Sequence, residues 1–222
     1  MLLSLLLAAA AGSATGTAGL FDQVKASVFT VEVHSGNQEA KHVLGSGYLI
    51  SADGLIVTNY HVVGSYIDDP VRFAIRVRNH AGEHPARLIR FDLENDLALL
   101  RADGIKARPL TLARQPPAPG ENIVAFGNPE GLGLSLIEGI SNGFAAKGVV
   151  DRMLLSMPLN SGMSGGPVMS ERREVVGTNV SVMWLSNSLS FAVPVAKVRP
   201  LLDLPPLETT KAALLQETHR QL

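Results

Sequence analysis

From Val24 onward, short β-branched or alternating apolar runs are broken by turn residues, which predicts an antiparallel all-β protein. The predicted strands of the first half are VKASVFTVEV, KHVLGSGYLI, LIVTNYHVV, RFAIRVRN, ARLIRFD and DLALLRA. Ala52-Asp53-Gly54 separates two of them as a hairpin turn, because Asp-Gly accepts the positive φ values of tight turns. Six more runs follow: NIVAFGN, LSLIEGISNGFAA, MLLSMPL, GGPVMS, EVVGTNVSVMW and LSFAVPV. Between the two sets, Arg114-Gln115-Pro116-Pro117-Ala118-Pro119-Gly120 interrupts any ladder, since proline has no N–H to donate. Six strands on each side predict two packed six-stranded antiparallel β-barrels, closed so that strand edges are hidden. The halves are residues 20–114 and 120–204 of one domain. VAKVRPLLDL predicts a short C-terminal helical segment, Pro205-Pro206 ends the compact region, and 205–222 is a tail with helical composition. No second domain and no solenoid-type repeat is visible.

The N-terminus changes this picture at one end. Met1 to Leu7 is a leucine-rich apolar run, followed by alanines and by Gly12-Ser13-Ala14-Thr15-Gly16-Thr17-Ala18-Gly19. A short apolar core followed by small residues predicts a signal peptide over 1–19, cleaved near Ala14 or Ala18, shorter than the roughly 20 residues of a membrane span. An exported, periplasmic or secreted protein without a stable span after cleavage is the expectation; the competing reading is a retained apolar anchor helix.

Composition narrows the chemistry. A chain of 222 residues with 46% hydrophobic positions has enough core to fold unaided. A formal net charge of -1 gives no electrostatic case for nucleic acid or an anionic membrane surface. With no cysteine, disulfides, thiolate catalysis and cysteine-ligated zinc are excluded. No metal or nucleotide motif is apparent and no cofactor is expected; His80 and His84 have helical spacing but flank Gly82 and Pro85 in a turn-rich stretch.

Candidate chemistry centres on Asn160-Ser161-Gly162-Met163-Ser164-Gly165-Gly166-Pro167. A serine becomes a nucleophile when a base takes its proton and backbone amides hold the oxyanion, and flanking glycines let the chain aim those amides. Ser164 is the candidate; the competing reading is an ordinary serine in a glycine-rich loop. Of six histidines, His61 alone sits inside an apolar run, where its ring needs a polar partner. A structural histidine at a strand end is its alternative. Asp96 heads the apolar run Asp96-Leu97-Ala98-Leu99-Leu100 and could orient that ring, with Asp92 and Glu94 as competitors and a turn cap as the alternative role.

GSGYLISADGLIVTNYHVV, NDLALL, FGNPEGL, NSGMSGGPV and SFAVPVAKV, in that order, resemble the signatures of the trypsin-like serine proteases, in particular the cysteine-free HtrA/DegP-type branch. The resemblance runs from about Phe21 to Leu204. It implies a serine endopeptidase (a hydrolase) with its site in a cleft between two barrels. His61 would be the general base, Asp96 its orienting partner, Ser164 the nucleophile, and the Gly162 and Ser164 amides the oxyanion hole. It also implies that Asn179, Val180 and Ser181 line the primary substrate pocket, with Ser190 and Phe191 at its back wall. No acidic residue stands there, so small or medium apolar side chains are the expected preference. Protein or peptide substrates, unfolded or loosely structured, would be cleaved through an acyl-enzyme.

Two departures matter. Met163 precedes the serine where HtrA-type enzymes usually have asparagine and digestive relatives aspartate, so no activation by a freed N-terminus is expected. No PDZ domain follows the protease segment here, and a homotrimer or a monomer is equally consistent. Two other function classes stay open: a latent or non-catalytic protein-binding module on the same scaffold, and an α/β-hydrolase esterase. For the latter, Gly162-Met163-Ser164-Gly165-Gly166 fits a nucleophile elbow, with Asp203 and His219 in the right order. The stretch from Pro129 to Gly148 is where mobile loops shaping the oxyanion hole are expected.

Overall fold

The computed structural model of the chain describes residues 16–35, 41–145, 151–180 and 189–222. It contains two closed six-stranded barrels. The first is built from β1 (Val28–Ser35), β2 (Lys41–Leu49), β3 (Leu55–Thr58), β4 (Phe73–Asn79), β5 (Gly82–Asp92) and β6 (Leu97–Arg101). Their order around the barrel is β1-β2-β3-β6-β5-β4, with every pairing antiparallel, closed by β1 against β4. The second uses β7 (Asn122–Gly127), β8 (Ser135–Phe144), β9 (Met153–Ser156), β10 (Pro167–Ser170), β11 (Val175–Val180) and β12 (Ser190–Pro194). Its order is β10-β11-β12-β9-β8-β7, closed by β10 against β7. The expected double barrel is therefore present, and closure leaves no strand edge unpaired in either ring.

The alternation read from the sequence is the barrel interior. Phe29, Val31, Val33, Ile75, Val77, Leu88 and Leu100 form the core of the first barrel, each at most 3% exposed. Tyr48, Val57, Leu97 and Leu99 instead join the core that fills the second barrel with Ile123, Phe126, Val168 and Val193, so the two cores meet. At that junction the Tyr48 hydroxyl bonds Thr178 Oγ1 at 2.8 Å across the barrels. Burial raises the Tyr48 pKa, keeping the phenol protonated.

Two helices stand where the sequence reading had none or a strand, and a third, in the segment of helical composition, is docked on the domain rather than outside it. Residues Thr17–Val24 form α1, whose Leu20 and Val24 enter the second barrel's core while Phe21 packs near Phe126. Predicted strand LIVTNYHVV ends at Thr58, and Tyr60–Asp68 form helix α2. The helix arises because Val62, Val63 and Ile67 recur at helical spacing and bury one face on the first barrel. After the short α3 (Arg199–Leu202), the segment 205–222 is not a detached tail: Lys211–Gln221 form α4, capped by Thr210 Oγ1 accepting from Ala213 N. Leu214 is fully buried in the first barrel's core beside α2. The Leu207 N–H donates to Ile89 O, and Gln221 Nε2 to Phe91 O. Among the described residues no helix is long and apolar enough to cross a membrane.

Candidate active site

Asp96, His61 and Ser164 are carried by three turns at the seam of the barrels. Asp96 ends the β5–β6 turn with φ 56, a left-handed conformation tolerated by aspartate. Its competitors are otherwise engaged: Asp92 accepts from the Asn95 N–H and Nδ2 at 2.9 and 2.7 Å, and Glu94 is exposed. His61 lies in the first turn of α2, where helix N–H groups lack intrahelical partners. Asp96 supplies one: Oδ1 accepts from the His61 backbone N–H at 3.0 Å while Oδ2 meets ring Nδ1 at 2.8 Å. Asn59, the residue before α2, donates from Nδ2 to Asp96 O at 2.8 Å. The carboxylate at the positive end of a helix is also favourably placed. Because a carboxylate only accepts, Nδ1 carries the ring proton and Nε2 keeps its lone pair for the cleft. The imidazole is 47% exposed and the carboxylate 20%, an arrangement open on the side where a substrate would lie.

Ser164 is in the turn leading into β10 and is 6% exposed. The chain around it is bound on several sides. Ser164 O accepts from Ser46 N at 2.7 Å, Gly165 N donates to Asn179 O at 3.0 Å, and Asn179 N donates to Gly166 O at 2.8 Å. Gly165 has φ 86, and a Cβ there would fall 2.4 Å from Thr58 Oγ1 and 3.1 Å from Asn59 N. Only glycine lets the serine turn press on the very end of β3 from which α2 and His61 depart. That packing sets Gly165 against Asn59, two residues before His61.

One peptide in this turn has a defined direction. Ser161 O accepts from Glu130 N at 3.0 Å. In a trans peptide the carbonyl and the following N–H point oppositely, so the Gly162 N–H faces away from Glu130. Among the described residues no group accepts from that N–H. Gly162 has φ 89, and a Cβ there would lie 2.4 Å from Asn128 O and 2.8 Å from Glu130 N. Met163 is fully buried in the second barrel's core, with Gly127 directly beneath its Cα.

The expected pocket residues are placed less uniformly. Asn179 is fully buried, and its Nδ2 donates to Phe126 O and Met163 O at 2.9 and 3.3 Å. It braces the serine turn from behind, and both its backbone groups are used by Gly165 and Gly166. The expectation that the Asn179 side chain lines the pocket does not match this position. Val180 ends β11 opposite Phe191, and Ser190 Oγ donates to Met157 O at 2.8 Å. Ser181 lies outside the described residues, as do 146–150 at the end of the predicted loop stretch. Within that stretch, 135–144 is strand β8.

Sequence reasoning passed over Ser46, Thr58, Asn128 and Arg152. The first two lie in motifs quoted above, and Asn128 in FGNPEGL, so the signal was in view. Arg152 is 8% exposed; burial lowers its pKa, while the charges of Asp96 and Asp92 act the other way. An elbow of the α/β-hydrolase kind needs a helix after the serine, whereas the strand β10 follows here, and His219 sits on α4 away from this turn sequence. Among the described residues no cluster of His, Asp and Glu is suited to a metal ion.

Residues 45–177 match the family model of the trypsin-like peptidase domain. A probable periplasmic serine endoprotease, DegP-like, from Pseudomonas fluorescens is 36% identical over 166 residues, covering 71% of this chain and 34% of the relative. The corresponding protein of Rickettsia prowazekii is 31% identical, covering 72% and 33%. The chain thus spans about a third of the length of these curated relatives. Among solved structures, a serine endoprotease from Yersinia pestis superimposes with TM-score 0.70 at 26% identity, over 83% of this chain and 64% of that one. The active form of a protease from M. tuberculosis gives 0.75 at 20% identity over 87% and 88%, a likeness of fold. With a matching model over more than half its length and two closed six-stranded barrels, the chain belongs to the family of trypsin-like peptidase domains.

Proposed function

We propose that the chain is a serine endopeptidase in which Ser164 is the nucleophile, His61 the general base and Asp96 the group that fixes the base. The observation that carries this reading is the double hold of Asp96 on His61, at Nδ1 and at the backbone N–H. The Ser164 hydroxyl attacks the scissile carbonyl and passes its proton to His61 Nε2. The oxyanion of the tetrahedral intermediate is held by the Gly162 and Ser164 amides, and removing one such donor costs about 10²- to 10³-fold in rate. His61 returns the proton to the leaving amine, giving an acyl-enzyme, and a water activated by the same ring releases the acid. Asp96 stays ionised and stabilises the imidazolium.

The substrates are unfolded or loosely structured proteins or peptides, cleaved beside small or medium apolar side chains. Support for the side-chain preference is the absence of an acidic group among the described residues expected at the pocket, Val180, Ser190 and Phe191. The N-terminal apolar run and the names of the relatives, which call them periplasmic, support export. Cleavage near Ala14 leaves α1 whole, whereas cleavage after Ala18 removes its first residues.

Covalent labelling with a fluorophosphonate, mapped by mass spectrometry, tests the assignment. Label is expected on Ser164 in the wild type and in His219→Ala, and to be lost in His61→Ala. Label on another residue, or loss only with His219→Ala, would overturn it.

A further inference from the structure

The motif Gly45-Ser46-Gly47 holds a serine that takes no part in the proposed chemistry, yet its hydroxyl sits at the crossing of both barrels. Ser46 is on β2 and fully buried. Its Oγ donates to Gly162 O at 2.7 Å and accepts from Asn128 N at 2.9 Å. Its backbone N–H donates to Ser164 O at 2.7 Å, and its carbonyl accepts from Thr58 Oγ1 at 2.7 Å. All four polar functions of one residue of the first barrel are thus spent on the serine turn, the chain at Asn128 and the end of β3.

We propose that Ser46 is a positioning residue for the oxyanion hole, an inference that rests on the endopeptidase reading above. Two successive carbonyls of the serine turn are anchored from outside it: Ser161 O by the Glu130 N–H and Gly162 O by the Ser46 hydroxyl. Fixing the first aims the Gly162 N–H; fixing the second stops the turn from rotating about Gly162, whose lack of a side chain leaves the backbone little else to resist it. The same hydroxyl accepts from Asn128, two residues before Glu130, and so also locates the group that holds Ser161. Asn128 is secured in turn, with Nδ2 donating to Thr30 Oγ1 and Oδ1 accepting from Gly133 N at 2.7 Å. Space for this arrangement comes from the neighbouring glycine: a Cβ on Gly45 would meet Val62 of α2 at 2.6 Å and Ser164 O at 3.2 Å. Deleting the hydroxyl leaves a buried acceptor on Gly162 and a buried donor on Asn128 without partners, and a rotated peptide is one way for the turn to recover them.

The test compares the full chain with Ser46→Ala, Ser46→Cys and Tyr48→Phe, the last removing a different buried bond between the barrels, that to Thr178. In Ser46→Ala, kcat on a peptide ester and the fluorophosphonate labelling rate should each fall about 10- to 100-fold with KM within about threefold, because the lost interaction acts in the transition state. Hydrogen exchange should quicken in segments 127–134 and 160–166, and the midpoints of the pH–rate profile should not move. Ser46→Cys, similar in size but a weak donor, should fall in the same direction by less, and it carries the comparison if the alanine variant does not fold. Tyr48→Phe should keep labelling within about threefold of wild type, as its bond lies off the serine turn. Equal labelling of Ser46→Ala and wild type, an equal loss in Tyr48→Phe, or unchanged exchange in both segments would overturn the proposal. An unlabelled wild type would remove the endopeptidase reading instead, while the exchange comparison would still decide what Ser46 holds.

Discussion

Asp96 grips His61 at two points, ring Nδ1 at 2.8 Å and backbone N–H at 3.0 Å, so one carboxylate both sets the tautomer of the base and caps the helix that carries it. The two tasks can be separated by substitution. Asp96→Asn can keep Oδ1 as the acceptor for the His61 N–H, but its Nδ2 then donates to ring Nδ1 and leaves the imidazole proton on Nε2, the wrong tautomer for a base. A fall in kcat of about 10³- to 10⁴-fold is expected. The melting temperature should change little, a cap being worth about 1 kcal/mol. Steady-state kinetics and thermal unfolding of the same preparation check both, and a stability loss matching the activity loss would contradict the separation.

Gly162→Ala should cost both activity and stability. At φ 89 any side chain is strained, and a Cβ would fall 2.4 Å from Asn128 O, so the turn must move. Displacing the amide is expected to lower kcat at least about 10²-fold. Destabilisation of roughly 1 to 3 kcal/mol should accompany it. Chemical denaturation and ester hydrolysis would show this, and wild-type kcat would place the oxyanion donor elsewhere.

The proposed cleavage profile rests on the described residues expected at the pocket, Val180, Ser190 and Phe191, none of which is acidic. Peptide-library digestion should favour small or medium apolar residues at the cleaved bond, and a profile dominated by Arg or Lys would refute this. Met163 makes a related point: buried among apolar neighbours, it offers no carboxylate to receive a freed ammonium. Intact mass of the labelled protein should therefore show no internal N-terminus needed for activity.

Acid should weaken the docking of α4. Arg220 bonds the Glu217 carboxylate through Nε and Nη2, and Gln221 and Arg90 add to it against the opposing effect of burial, lowering its pKa from 4.5 to about 2. A carboxylate depressed in the folded state contributes stability that is complete above its unfolded pKa and is lost as pH falls through the folded one. The gap in stability between wild type and Glu217→Gln, about 1 kcal/mol once solvent screening of the exposed Arg220 is counted, should thus be constant above 4.5 and close as pH falls toward about 2. Melts across that window measure it, and a gap that widens in acid would reverse the sign.

The double barrel was legible because closed antiparallel strands write their inward face as a period of two, and Val31, Val33, Ile75 and Val77 do so. Helix α2 was not, because in Val57-Thr58-Asn59-Tyr60-His61-Val62-Val63 the apolar positions fit neither period cleanly and the stretch follows a β-branched run without a break. The triad candidates were legible as side chains in quoted motifs. The role of Glu130 was not, since it acts through its backbone N–H, which every residue but proline has. Asn179 was misplaced for a similar reason: a strand-end asparagine reads alike whether its amide turns toward a substrate or toward Phe126 O.

Helix α4 lies against α2, with Leu214 sharing the cluster of Val62, Val63 and Ile67 beneath His61. The end of the described chain is thereby packed against the helix that carries His61, although it is remote in sequence. Its last turn is bonded to the first barrel at Phe91 O and Leu93 N, and about two turns earlier Leu214 packs under α2, so disturbance of the C-terminal helix reaches both the barrel wall and the support of the imidazole.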